Sequence, residues 1–174
     1  MGATEWLERM RSDHRQVLER LALLVPEPGD GSMRTQRPGV PEVRAFVEFL
    51  GIQFDHHMVA EDRILFPIVA NALPATTESL APLSLEHREL RSMLDSLAAL
   101  LDSPAGSARD EQIGVQLADL AELLRIHIRK EERLVFQIAE RVLLPGELER
   151  LVSEQTGSPP DPPNPDSPNP KRNL

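Results

Sequence analysis

Four stretches of this chain carry apolar residues in a helical rhythm. In the first, Leu7, Met10, His14, Val17, Leu21 and Leu24 recur at steps of three and four. The second runs Val43, Phe46, Leu50, Phe54, His57, Glu61, Ile64, Ile68. The third runs Leu80, Leu83, His87, Leu90, Leu94, Leu97, Leu101, and the fourth Ile113, Leu117, Leu120, Leu124, His127, Glu131, Leu134, Ile138. Such steps keep one stripe of a helix facing inward. No stretch alternates with period two over a useful length, so strands are not expected.

Proline and glycine punctuate the four stretches. A polar loop, PEPGDGSMRTQRPGVP, covers residues 26–41, and further breaks fall at Asn71–Ala75 and Asp102–Gly106. Pro41 suits the first turn of the second helix. Pro67 should kink or end that helix, and Pro82 fits only a first turn, which predicts a third helix starting near Ser79. Seven of the 16 prolines lie in residues 159–170, where no apolar periodicity exists. Residues 157–174 therefore read as a disordered, partly polyproline tail, and residues 1–156 as one domain. PGELERLVSEQ, residues 145–155, predicts a short extra amphipathic helix. The short connections favour antiparallel neighbours. The expected fold is all-α, an antiparallel up-down-up-down four-helix bundle.

The chemistry lies in what interrupts the stripes. Each predicted helix carries one His on its apolar seam: His14, His57, His87 and His127. The second and fourth add a Glu one turn later, Glu61 and Glu131, on the same face. Six polar groups are thus aimed into one apolar interior. An isolated ionised carboxylate there is very costly and persists only when paired or bound to metal. Neutral imidazoles donate nitrogen, and carboxylates can bridge two cations, so the set suits a dinuclear metal site. Without a cation, the buried carboxylates are expected to have raised pKa values and the buried imidazoles depressed ones. His56 points about 100° away from His57 and reads as a bystander. Asp62 and Glu132 read as solvated, or paired with nearby Arg.

The sequence also repeats. RSDHRQVLERLALL compares with SLEHRELRSMLDSL at an offset of 87 − 14 = 73. HHMVAEDRILFPIVA compares with IHIRKEERLVFQIAE at an offset of 127 − 57 = 70. The chain is two helical hairpins, each offering a His and a His-x-x-x-Glu. One metal per hairpin follows, with an oxygen bridge and an open position on each.

Composition narrows the partners. The 174 residues contain no Cys and no Tyr, which removes disulfides, thiolate metal sites, Cys nucleophiles and tyrosyl chemistry. A net charge of −9 argues against a nucleic-acid surface. No apolar run approaches the ~18 residues of a membrane span. The N-terminal stretch MGATEWLERMRSDH lacks a signal-peptide core, so a cytoplasmic protein is expected, as a monomer or homodimer.

With DHR at 13–15, HHMVAEDRILFP at 56–67, EHR at 86–88 and HIRKEE at 127–132, the chain resembles the hemerythrin-like family, the HHE cation-binding domain, over about residues 10–140. The resemblance implies two iron ions with a bridging oxo or hydroxo group, manganese being the alternative. It makes His14 and His57 ligands of one iron, His87 and His127 ligands of the other, and Glu61 and Glu131 the bridges. Oxygen-carrying members place a second His where Arg91 stands, so the pattern is that of the bacterial branch. The function this implies is reaction with O2, peroxide or NO, in a catalase- or peroxidase-like or stress-related role. The alternatives are a non-catalytic O2, NO or iron sensor, and a structural bundle with vestigial ligands.

Overall fold

A computed structural model describes residues 3–27 and 38–142. The predicted helix at 145–155, the tail at 157–174 and most of the 26–41 loop lie outside the described residues. Among the described residues every regular element is helical. Helix α1 spans Ala3–Leu24. The second bundle helix is composite: α2 (Val40–Gln53), two π-turns (Phe54–Met58 and Glu61–Leu65) and α3 (Phe66–Ala72). A 3-10 turn, Pro74–Thr76, leads into α4 (Thr77–Asp102), and α5 (Ser107–Arg133) is followed by α6 (Val135–Val142). Helix α1 packs on α2 and α5, and α4 packs on α2 and α5, which closes the expected four-helix ring.

The stripes turn inward as the spacing requires. All six predicted positions of α1 and all seven of α4 are buried. Pro41 lies in the first turn of α2, where a missing N–H is harmless. Helix α4 starts at Thr77, two residues earlier than expected, so Pro82 lies inside it. Pro82 is exposed, and the Glu78 carbonyl that it leaves without a helical donor can turn to water. Thr76 Oγ1 donates to the Leu73 carbonyl at 2.7 Å and helps form the corner.

Two deviations sit next to the predicted polar groups. Pro67 does not end the second helix. The π-turn Glu61–Leu65 precedes it, with the Phe66 N–H bonded to the Glu61 carbonyl, and α3 continues to Ala72. In the fourth helix, the register breaks at Leu134. Leu134 and Ile138, expected inside, are only half-buried, and Val135, Phe136 and Ala139 take the inward places. These deformations move the apolar face round just beyond Glu61 and Glu131. They let each helix aim a carboxylate inward and then bury a Phe one turn later.

The core is divided accordingly. One apolar cluster, built around Leu21, Leu50, Leu90, Leu97 and Leu120, fills one end of the bundle. A second, around Trp6, Met10, Leu65, Phe66, Leu83 and Phe136, fills the other. The six polar groups occupy the layer between them.

Candidate metal centre

The structure brings all six predicted residues together. His14, His57, Glu61, His87, His127 and Glu131 are buried, and both Glu side chains are fully so. They form two overlapping groups of potential ligand atoms. One is His14, His57, Glu61 and Glu131; the other is Glu61, His87, His127 and Glu131. Within each group the ligand atoms lie within 4.8 Å of one another. Nε2 of His57 and Nε2 of His14 are 2.8 Å apart. Two imidazole lone pairs so disposed can share one proton or point at one cation.

The carboxylates span both pairs. Glu61 Oε1 is 3.1 Å from His57 Nε2 and 3.9 Å from His14 Nε2, and its Oε2 is 3.4 Å from His87 Nε2. Glu131 Oε2 is 3.3 Å from His14 Nε2, and its Oε1 is 3.2 Å from His127 Nε2 and 3.4 Å from His87 Nε2. Yet all four carboxylate oxygens, with Nε2 of His87 and of His127, are buried without an aligned hydrogen bond. Leaving buried charged groups unsatisfied costs at least 1–3 kcal/mol each, and a cation removes that cost. The donor set therefore fits a metal group on its own geometry.

A family model, the hemerythrin HHE cation binding domain, matches residues 6–139. The chain belongs to that family. No curated protein and no solved structure matches it. In this hemerythrin domain the match spans both hairpins and all six central side chains.

Around the six stands an outer ring of carboxylates that the sequence reading missed. Glu132 Oε1 lies 3.1 Å from His14 Nδ1, and Asp13 Oδ2 3.3 Å from His57 Nδ1. Glu86 Oε2 lies 3.0 Å from His127 Nδ1. Asp62 Oδ1 lies 3.1 Å from His87 Nδ1, at ion-pair distance but without hydrogen-bond alignment. Glu132, Asp13 and Glu86 each hold one Nδ1 and leave Nε2 for the interior, and Asp62 faces the fourth. Asp62 is exposed, as expected, but among the described residues it pairs with no Arg: it accepts from Ser84 Oγ at 2.7 Å and faces His87. Glu132 does pair with an Arg, Arg11 at 3.4 Å, while also holding His14. The available signal was adjacency. Asp13 and Glu86 each precede a central His, and Asp62 and Glu132 each follow a central Glu.

Two phenylalanines stack against the cluster. Phe136 stacks on His14, with centroids 5.3 Å apart, and Phe66 stacks on His87 at 5.6 Å. Both follow a central Glu by five residues. On the opposite side of the layer, Val17, Phe54, Met58, Leu124 and Ile128 wall a pocket that touches His14 and His57. His56 is exposed, as its register required. Arg91 is half-buried, with its guanidinium on the second bundle helix rather than among the six.

The electrostatics reverse one expectation. Burial and the charge of Glu131 push Glu61 up, but the charge of His57 and contacts with His57 and His87 outweigh them and lower it. Burial likewise opposes ionisation of Glu131, and contacts with His127, His14 and His87 hold it well below the usual carboxylate range. Burial disfavours charged His57, yet the Glu61 charge and the Asp13 contact push it up to about 10. His87, against burial, is pushed up to about 11 by Asp62, Glu131 and Glu61. Opposite charges offset burial here, so Glu61 and Glu131 are lowered rather than raised, and His14, His57 and His87 are raised rather than depressed.

Proposed function

We propose that this hemerythrin domain holds two metal ions, iron by analogy with its family. One lies between His14 and His57, the other between His87 and His127, and Glu61 and Glu131 are shared by both. The observation that carries the reading is the pair of buried carboxylates without an aligned hydrogen bond, each facing Nε2 atoms of both His pairs. When bound, such a metal pair supplies redox electrons and Lewis-acid positions for a small ligand such as O2, peroxide or NO.

The chain's own groups do the rest. A proton on Nδ1 of His14, His57 and His127, directed at an outer carboxylate, keeps each Nε2 lone pair pointing inward. Protons on Nε2 of the raised imidazoles must leave as metal enters, so loading releases protons. Apolar clusters above and below the layer keep bulk water out. Walls of Val17, Phe54, Met58, Leu124 and Ile128 offer a small, largely apolar ligand a place beside His14 and His57.

Iron-loaded protein should decompose peroxide or consume O2 faster than a His14→Ala, His57→Ala double variant. Equal rates would sink the catalytic reading. Reversible binding of O2 or NO without turnover would leave a sensor or carrier module.

A further inference from the structure

The first hairpin departs from its repeat in the turn that carries His57. His57 sits in the π-turn Phe54–Met58, whereas the equivalent stretch, Leu124–Ile128, is regular helix within α5. Above this turn lies Arg91 of α4. One nitrogen of its guanidinium, Nη2, donates to the Phe54 carbonyl, and the other, Nη1, pairs with Asp55 Oδ1 at 3.2 Å. At Arg91's equivalent position in the repeat, 91 − 73 = 18, stands Leu18, which packs against the apolar core. The π-turn is thus capped by a charged donor, and the equivalent position in the repeat carries an aliphatic side chain packed on the core.

A π-turn lengthens the local hydrogen-bond loop to i→i+5 and disturbs the α ladder of carbonyls. A charged donor from a neighbouring helix can hold a carbonyl so displaced more firmly than water can. We propose that Arg91 is a positioning residue that latches the π-turn through the Phe54 carbonyl and thereby sets His57 and the Phe54 and Met58 walls of the pocket. Its effect should be one-sided. His57 belongs to one His pair only, so the His14/His57 position depends on the latch and the His87/His127 position does not. The backbone part of this proposal stands on the fold alone; the metal part rests on the proposed function.

Arg91→Leu installs the residue type of the equivalent position, and Arg91→Lys keeps the charge with a simpler donor. Amide exchange is measured at His57, Met58 and Val59 in metal-free protein. Metal release into a chelator is measured on iron-loaded protein. Arg91→Leu should speed exchange at these three amides about tenfold or more, the loss expected for a charge-assisted hydrogen bond. It should also make one of two metals leave about tenfold sooner. Arg91→Lys should fall between, and Asp55→Ala, which removes only the surface pair, should change neither. Unchanged exchange in Arg91→Leu, or exchange raised equally along α4 and α5, overturns the latch. Two metals leaving together at one faster rate overturns its one-sided action. Faster exchange in a chain that takes up no iron supports the latch and sinks the metal reading, so the two failures are told apart.

Discussion

The two hairpins use the same six central groups but different supports. His14, His57 and Glu61 match His87, His127 and Glu131, and Phe66 matches Phe136. The outer acids match as well: Asp13 with Glu86 and Asp62 with Glu132. Behind those acids the match ends. Glu132 is backed by Arg11, while Asp62 at the equivalent place is backed by Ser84. Glu86 is backed by Lys130, and Ala60 occupies the place of Lys130 in the first hairpin. Each His pair still receives one cation-backed acid: His14 through Glu132 and His127 through Glu86. The comparison teaches that the repeat holds the donor atoms and their orientation strictly and lets the next layer out vary.

The sharpest test of the matched layer is the pair of shared carboxylates. Glu61→Gln and Glu131→Gln keep volume and remove a charge, and a neutral amide bridges two cations poorly. Each should lower metal content from two ions per chain to one or none, and by similar amounts, since each carboxylate touches both His pairs. Metal analysis reads this. A large difference between the two variants would break the equivalence.

Next come the stacked rings. Phe136→Ala and Phe66→Ala should each destabilise by about 3–5 kcal/mol through lost burial and the cavity left behind. Phe136→Ala should lie at the upper end. Its ring is fully buried and also carries Arg11, whose guanidinium carbon lies 5.4 Å from the ring centroid. Denaturant unfolding compares them, and equal costs would remove this asymmetry.

A smaller effect is expected in the outer ring. Glu86→Gln and Asp13→Asn should each weaken metal affinity by about 10–100-fold, on the scale of other lost outer partners of metal-binding His. Glu86→Gln should cost more, because it frees Lys130 as well as His127. Competition with a chelator measures both, and no change in either would show that the Nδ1 contacts orient nothing.

The gentlest probe is pH. In metal-free protein, His57 and His87 have folded pKa values raised to about 10 and about 11, above the ordinary 6.5. Their stabilisation is complete below about pH 6.5 and is lost as pH rises through those folded values. Glu61 and Glu131 are lowered, so their share is present above the ordinary 4.5 and is lost as pH falls through their folded values. Metal-free protein should therefore be most stable at about pH 4.5–6.5 and weaken toward alkaline pH, by about 1 kcal/mol per pH unit for each extra proton bound. His57→Gln and His87→Gln should each flatten that alkaline fall. Urea midpoints across pH measure it, and a fall unaffected by either substitution would contradict the assignment.

Much of this was legible in the chain. The inward stripe of α4 was complete in the sequence because its step pattern is unbroken from Leu80 to Leu101. The six central groups were legible because a polar residue on an apolar seam has no cheap solvated alternative. The π-turns were not, since a π-turn keeps Phe54, His57, Met58 and Glu61 inward just as an α-turn would. The break at Leu134 was hidden because Leu134 and Ile138 continue the α rhythm so well; only comparison with Leu65, Phe66 and Val69 marks Val135, Phe136 and Ala139 as the buried set. Asp62 is exposed and Glu132 meets Arg11, as expected, but their His contacts were hidden because a single-helix projection does not show the His that a neighbouring helix brings alongside.

The central claim is that two cations share two carboxylates between two His pairs. Metal analysis of the purified, iron-loaded chain tests it most directly. The account predicts two metal ions per chain, falling when either Glu61 or Glu131 becomes Gln. A chain that retains one ion or none after loading, or two in both Gln variants, would contradict it.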